Sequence, residues 1–272
     1  MSAAELSLTE VAEQVASEAA ELVRRARADM NAGWAVAVDT KSSHTDVVTA
    51  VDTEAELLIR DRLAQLRPGE AVLGEEGGGP VDRDPDAVTW VVDPIDGTVN
   101  FLYGHPFFAV SVAAQIGGVS VAGAVVEPIS GRRWTATRGA GAWLDGRQLH
   151  VAKPARLDLT LLATGFGYRS DRRERQARMV HALLGRVRDI RRAGAASLDL
   201  CALAAGWVDG YFEHGLSRWD WAAGALIAQE AGAIVALPGE EPAFGADATF
   251  AAAPSIAAEL RSALIECGAG GV

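Results

Sequence analysis

The sequence predicts two differently built halves: an α+β half, with two helices on a mostly antiparallel sheet, followed by an α/β half in which strands and helices alternate. Three observations predict this. Apolar residues recur at helical spacing in two stretches before residue 67. From Val72 to about residue 150 they fall instead into short strand-like runs parted by turn residues such as Gly117-Gly118 and Asp145-Gly146. Beyond about residue 155 strand-like and helix-like runs take turns. The domains expected from this change of pattern are residues 1–154 and 155–272.

In order along the chain, Leu8, Val11, Ala12, Val15, Ala19, Leu22, Val23 and Ala26 mark an amphipathic first helix, and Ser7 with Glu10 has the form of a capping box. A second helix is expected from Thr53, with Glu56 closing another capping box, to the Pro68-Gly69 stop. On that reading Asp52 stands at the helix mouth and outside it. The strands "AVLG", "AVTWVVD", "FFAVSVAAQI", "VSVAGAVVEP" and "RRWTATR" follow. Strands joined by short turns should be antiparallel neighbours, because a parallel pair needs a crossover of about a dozen residues. The second half reads as strand "LTLLATG", helix "ERQARMVHALLGRV", strand "VRDIRRAG", helix "SLDLCALAAGWVDG", strand "YFEH", helix "DWAAGALIAQEAG", strands "AIVAL" and "TFAAAP", and helix "IAAELRSALIE". There is no internal repeat, and low complexity is confined to "GGGP" at 77–80 and the "GAGGV" tail.

With 272 residues, 49% of them hydrophobic, the chain can build a sizeable core. A net charge of -11 and a pI near 4.9 argue against nucleic acid or an anionic membrane as partner, so a phosphorylated substrate would need positive charge supplied locally. Cys201 and Cys267 form neither a disulfide framework nor a metal pair, and reduced thiols are expected. Acids near the N-terminus do not suit a signal peptide, and no apolar run reaches the length of about 18 residues that a membrane span needs, so a cytoplasmic location is expected.

Chemistry is concentrated in "TWVVDPIDGTVN" at 89–100. A buried strand runs into Asp93, Pro94 is expected to turn the chain, Asp96 follows, and the backbone N–H groups of Gly97 and Thr98 can cradle an oxyanion. Glu75 in "GEE", Asp52 in "VVTAVD" and Asp220 in "RWDWAAG" stand at comparable element ends. If these carboxylates converge, each pair about 4 Å apart repels by roughly 4 kcal/mol at an effective dielectric near 20. Cations must then compensate. Oxygen ligands without His or Cys at ligand spacing favour Mg²⁺, with Mn²⁺ as a substitute, and the number of acids suggests two or three ions.

"GEE", "WVVDPIDGTVNF" and "RWDWAAG", in this order and spacing, resemble the signature segments of the inositol monophosphatase family of lithium-sensitive, Mg²⁺-dependent phosphatases. "KSSHTDVVTAVD" at 41–52 resembles that family's upstream motif, and "ATGFGY" at 163–168 with "AASLDLCALAAGWVDGYFEHG" at 195–215 resembles its bacterial branch. The resemblance implies a layered αβαβα sandwich of the sugar-phosphatase type and hydrolysis of myo-inositol monophosphates by a metal-activated water. It implies that Glu75, Asp93 and the Ile95 carbonyl hold one ion, that Asp93, Asp96 and Asp220 hold a second, and that Glu75 and water hold a weaker third. Gly97 and Thr98 would take phosphate oxygens, and Thr98 with Asp52 would orient and deprotonate the nucleophile. Glu213 resembles the residue that accepts inositol hydroxyls, and Ala195 and Ala196 resemble the small pocket lining, here without a hydroxyl at the first position. Lys41 resembles a loop residue near the third ion.

For His105 the expected role is structural, for Trp219 and Trp221 helix packing, and for the run 169–178 a solvated face, with Arg169 the member that could meet a substrate or a partner subunit. Fructose 1,6-bisphosphate, adenosine 3′,5′-bisphosphate and histidinol phosphate are alternative substrates within the same enzyme class. A regulatory interaction protein without catalysis is the alternative from another class, and it would be expected to have lost metal carboxylates. The resemblance further implies a homodimer, to which "GWAVAV" at 33–38 could contribute if it is not simply a strand.

Overall fold

A computed structural model describes residues 6–41, 47–80 and 84–272. Residues 42–46 of the 41–52 segment, and residues 81–83 of the connection that follows Gly77, lie outside the described residues.

The capping box at Ser7 and Glu10 opens helix α1 (Leu8–Asn31). Its buried stripe of Val11, Val15, Ala19 and Val23 follows the helical repeat. Part of "GWAVAV" enters a short strand, β1 (Val38–Thr40), which pairs antiparallel with β2 (Val47–Thr49). Helix α2 (Ala50–Leu66) begins earlier than Thr53. Extended Thr49 is the N-cap: its hydroxyl accepts the N–H of Val51 at 3.2 Å, and its own N–H donates to Asp52 Oδ2 at 2.9 Å. Asp52 is therefore in the first turn of the helix and not outside it. Glu56 is engaged elsewhere, accepting the N–H groups of Glu76 at 2.7 Å and Gly77 at 2.8 Å.

The first sheet has seven strands in chain order: β3 (Ala71–Gly74), β4 (Val88–Asp96), β5 (Ala109–Ile116), β6 (Val119–Val126), β7 (Arg133–Thr137), β8 (Gly141–Leu144) and β9 (Arg147–Gln148). Every pair is antiparallel except β3 with β4, which are parallel. The segment from 75 to 87 is long enough for a crossover, so the short-turn argument does not apply to it. The β8–β9 turn has Asp145 at φ 48° and Gly146 at φ 78°, the conformation that an Asp-Gly hairpin requires.

In the second half β10 (Leu161–Thr164), α4 (Ser170–Leu184), β11 (Asp189–Arg191), α5 (Ala196–Ala204), β12 (Gly210–His214), α6 (Arg218–Glu230), β13 (Ile234–Ala236), β14 (Ala248–Ala252) and α7 (Ala257–Glu266) form a five-stranded sheet with flanking helices. Its order is β11-β10-β12-β14-β13, parallel over the first three strands and antiparallel over the rest. Helix α5 stops at Ala204, before the expected end of "SLDLCALAAGWVDG", because Gly206 turns the chain at φ 71°.

Strand alternation stacks these parts into layers. Val92, Val110, Val112 and Ala124 face α1 and α2, whereas Val91, Ala109, Ala113 and Val125 on the opposite face meet Leu198, Ala222, Ala223 and Leu226 of α5 and α6. Those two helices also cover Ala163, Tyr211 and Ala251 of the second sheet, whose other face carries Leu162, Phe212 and Phe250 against Met179, Leu183 and Leu260 of α4 and α7. The order is α1/α2, first sheet, α5/α6, second sheet, α4/α7: the αβαβα sandwich. Small residues keep the middle layer thin. A Cβ added to Gly123 on β6 would lie 3.1 Å from Ala223 Cα on α6. Cys201 and Cys267 are both free. Among the described residues no helix is long and apolar enough to cross a membrane.

Candidate active site

The proline in "DPID" does not end its strand. Pairing with β5 continues through a β-bulge, with Asp93 opposite Ser111 and Asp96 opposite Ala109. A bulge re-aims side chains, and here both aspartates are buried in one place. Asp220 enters from the first turn of α6, where Ser217 N–H donates to its Oδ2 at 2.6 Å. One carboxylate oxygen from each of Asp93, Asp96 and Asp220 lies within 4.8 Å of the other two.

This crowding is visible in the proton equilibria. Burial first, then the charges of Glu75, Asp96 and Asp220, push the Asp93 carboxyl well above the usual range. Burial, with Asp96 and Glu75, does the same to Asp220. For Asp96, burial outweighs hydrogen bonds from Ser197 and Ala196 and carries the group up to about 6. Glu75, just beyond β3, is bound by the Lys41 ammonium at 2.7 Å, and Lys41 reaches Glu76 at 2.7 Å as well. Burial opposes the charge on Lys41, but the two glutamates hold its pKa above the ordinary lysine range. Glu76 itself is raised by burial to about 7. A cation already seated on these acids, oxygen-only donors and a mutually repelling trio all fit hard divalent ions.

The turn after Asp96 puts Gly97 at φ 94°, and α3 (Thr98–Tyr103) starts there. A side chain at residue 97 would meet Gly194 O, Phe107 O and Phe108 Cβ, each at 3.2 Å. The Thr98 hydroxyl lies 3.0 Å from Asp52 Oδ1 and 3.1 Å from Ile95 O, one proton between two acceptors. Asp52 is buried on α2, and that burial raises its pKa.

A cleft of about 450 Å³ adjoins these groups, lined by Lys41, Glu75, Asp96, Gly97 and Asp220 together with Gly165, Ala195, Ala196 and Glu213 of the second half. Tyr211 OH donates to Glu213 at 2.7 Å, and burial pushes the Glu213 carboxyl up to about 7. Gly165 makes room for that carboxyl: a Cβ there would be 2.0 Å from both of its oxygens. Of the remaining residues singled out in the sequence, Trp219 and Trp221 pack against the core, with Trp219 also on the cleft wall, and His105 is exposed outside it. A wider groove of about 810 Å³ between α1 and α2 is lined by charged residues such as Glu18 and Arg62, which pair with each other, and among the described residues no acid trio meets there.

Sequence reasoning missed several groups. Arg172 belongs to the run read as a solvated face, yet it lines the cleft and donates to both oxygens of Asp247 at 2.8 and 2.7 Å. Arg192 lines the cleft as well. Asp199 is buried within α5, where burial, then Glu213 and Asp96, raise its pKa well above normal. Ser197 bonds Asp96 through both its N–H and its hydroxyl. An acid inside the apolar stretch "SLDLC" was the one available signal for the α5 pair.

Fold and site together define a class: a layered protein whose stacked sheets and central helices gather buried carboxylates, suited to holding metal ions, beside a polar cleft. The chain belongs to the inositol monophosphatase family, whose model matches residues 5–268. It is 54% identical over 267 residues to the inositol-1-monophosphatase of Mycobacterium leprae, spanning 93% of this chain and 92% of that protein. It is 42% identical over 229 residues to the Nus factor SuhB of Pseudomonas aeruginosa, spanning 83% of each. The solved structure of Mycobacterium tuberculosis SuhB matches with a TM-score of 0.81 at 45% identity and covers 97% of each chain.

Proposed function

We propose that this chain is a Mg²⁺-dependent phosphomonoesterase that hydrolyses myo-inositol monophosphates to inositol and phosphate. The observation that carries the reading is the convergence of Asp93, Asp96 and Asp220, one ligand oxygen from each lying within 4.8 Å of the others, with Asp96 and Asp220 on the cleft wall. The names of the mycobacterial relatives support the choice of substrate.

Glu75, Asp93 and the Ile95 carbonyl would hold one ion, Asp93, Asp96 and Asp220 a second, and Glu75 with water a weaker third; Mn²⁺ could replace Mg²⁺. When bound, such ions supply an activated water and neutralise charge on the leaving oxygen. The backbone N–H groups of Gly97 and Thr98 orient the phosphate, and the Thr98 hydroxyl takes a proton from the attacking water as its own proton passes to Asp52 Oδ1, 3.0 Å away. Glu213 accepts polyol hydroxyls, while Ala195 and Ala196 leave space for the ring. Positioning and electrostatics do most of the work in such transfers. Lithium sensitivity, a homodimer and a cytoplasmic location belong to the same proposal.

The test is phosphate release from myo-inositol 1-phosphate, fructose 1,6-bisphosphate, adenosine 3′,5′-bisphosphate and histidinol phosphate at equal concentration, with and without Mg²⁺ and Li⁺. The expected result is highest kcat/KM on the inositol ester, abolished without Mg²⁺ and inhibited by Li⁺. Equal turnover in a chelator would overturn the reading.

A further inference from the structure

Helix α5 begins without a side-chain cap of its own, since Ala195 at its N-cap has no acceptor to offer. The acceptor comes from the first sheet. Asp96 Oδ1 accepts the Ala196 N–H at 3.2 Å, and Asp96 Oδ2 accepts the Ser197 N–H at 2.7 Å together with the Ser197 hydroxyl. Ser197 is fully buried and Asp96 nearly so. Asp93 and Asp220 are held differently, by backbone N–H groups two and three residues away in their own segments, those of Ile95 in β4 and of Ser217 at the start of α6.

That difference has a physical consequence. Repulsion within the trio tends to rotate each carboxylate outward, and for Asp96 the opposing donors sit on a helix that also lines the cleft. The backbone donors would be present in any sequence that forms α5. The hydroxyl is the contribution specific to Ser197.

We propose that Ser197 is a positioning residue whose hydroxyl holds Asp96 inward, so that its free lone pairs face a divalent cation shared with Asp93 and Asp220. Cation affinity and the seating of α5 are thereby coupled through one carboxylate. This rests on the reading of Asp96 as a ligand.

The test is titration of substrate-free protein with Mn²⁺, followed by electron paramagnetic resonance of the free ion, for wild type, Ser197→Ala, Ser197→Cys and Asp93→Asn. Loss of a group that orients a ligand typically weakens metal binding ten- to a hundredfold. With two backbone donors remaining, about tenfold weaker binding is expected for Ser197→Ala, and an intermediate value for Ser197→Cys, a weaker donor. Melting curves in chelator should show the Ala variant folded; if it is not, the Cys variant is read in its place. Wild-type Mn²⁺ affinity in the folded variant, with binding lost in Asp93→Asn, overturns the role of Ser197 alone. Undiminished binding in Asp93→Asn overturns the metal assignment and this inference with it.

Discussion

Gly165→Ala offers a way to move the Glu213 carboxyl without replacing any acid. Gly165 is not among the glycines with positive φ, so alanine can adopt its backbone. The new Cβ would stand 2.0 Å from Oε1 and Oε2 of Glu213 and 2.1 Å from Cδ. Carbon–heavy-atom contacts settle near 3.5 Å, so the carboxyl must retreat by about 1.5 Å, which the end of a flexible side chain can do at little cost to the fold. A shift of that size breaks the 2.7 Å bond from Tyr211 and any bond to a polyol hydroxyl. One hydrogen bond to a charged group is worth about 1.5–3 kcal/mol, or roughly ten- to a hundredfold in affinity. Steady-state kinetics should therefore show KM for inositol 1-phosphate raised by that factor, with the Mg²⁺ requirement unchanged. p-Nitrophenyl phosphate, which has no hydroxyl for Glu213, should be hydrolysed as by wild type. An inositol KM within about twofold of wild type, or an equal loss on both substrates, would refute the reasoning.

Asp93→Asn should abolish turnover at moderate Mg²⁺ while leaving circular dichroism unchanged, and in chelator it should melt no lower than wild type, because it removes one member of a repelling group. Thr98→Val should lower kcat by about a hundredfold or more with Mn²⁺ affinity intact, as expected for loss of a proton-handling group. In the metal-free protein Asp93, Asp96 and Asp220 have folded-state pKa values above their unfolded ones. Their contribution to stability is then full below about pH 4 and is lost as pH rises through the folded values, which for Asp96 is about 6. Calorimetry should therefore find that the stabilisation by Mg²⁺ grows between pH 5 and 8; a gap independent of pH would contradict the crowding.

The two differently built halves were legible because alternation and helical repeat are local signals, the layered sandwich followed from the resemblance, and Asp93 and Asp96 stood out because a buried strand end is a poor place for a carboxylate. The errors have a common origin in contacts distant along the chain. Thr49 with Asp52 and Thr53 with Glu56 are equally good capping patterns; what decides between them is that Glu56 is held by Glu76 and Gly77. Pro94 reads as a strand end, but β5 continues the pairing past it through a bulge. Arg172 and Ser197 acquire their partners, Asp247 and Asp96, only when distant segments meet, and no periodicity announces that.

The close approach of Gly123 to Ala223 bears on how such a protein can change its chemistry. Asp220 rides at the leading end of the helix that this contact sets in place, so one methyl group added at residue 123, which does not line the cleft, would lift the helix and shift Asp220 relative to Asp93 and Asp96. Tuning of the acid cluster, by evolution or by engineering, is accessible from glycine and alanine positions outside it.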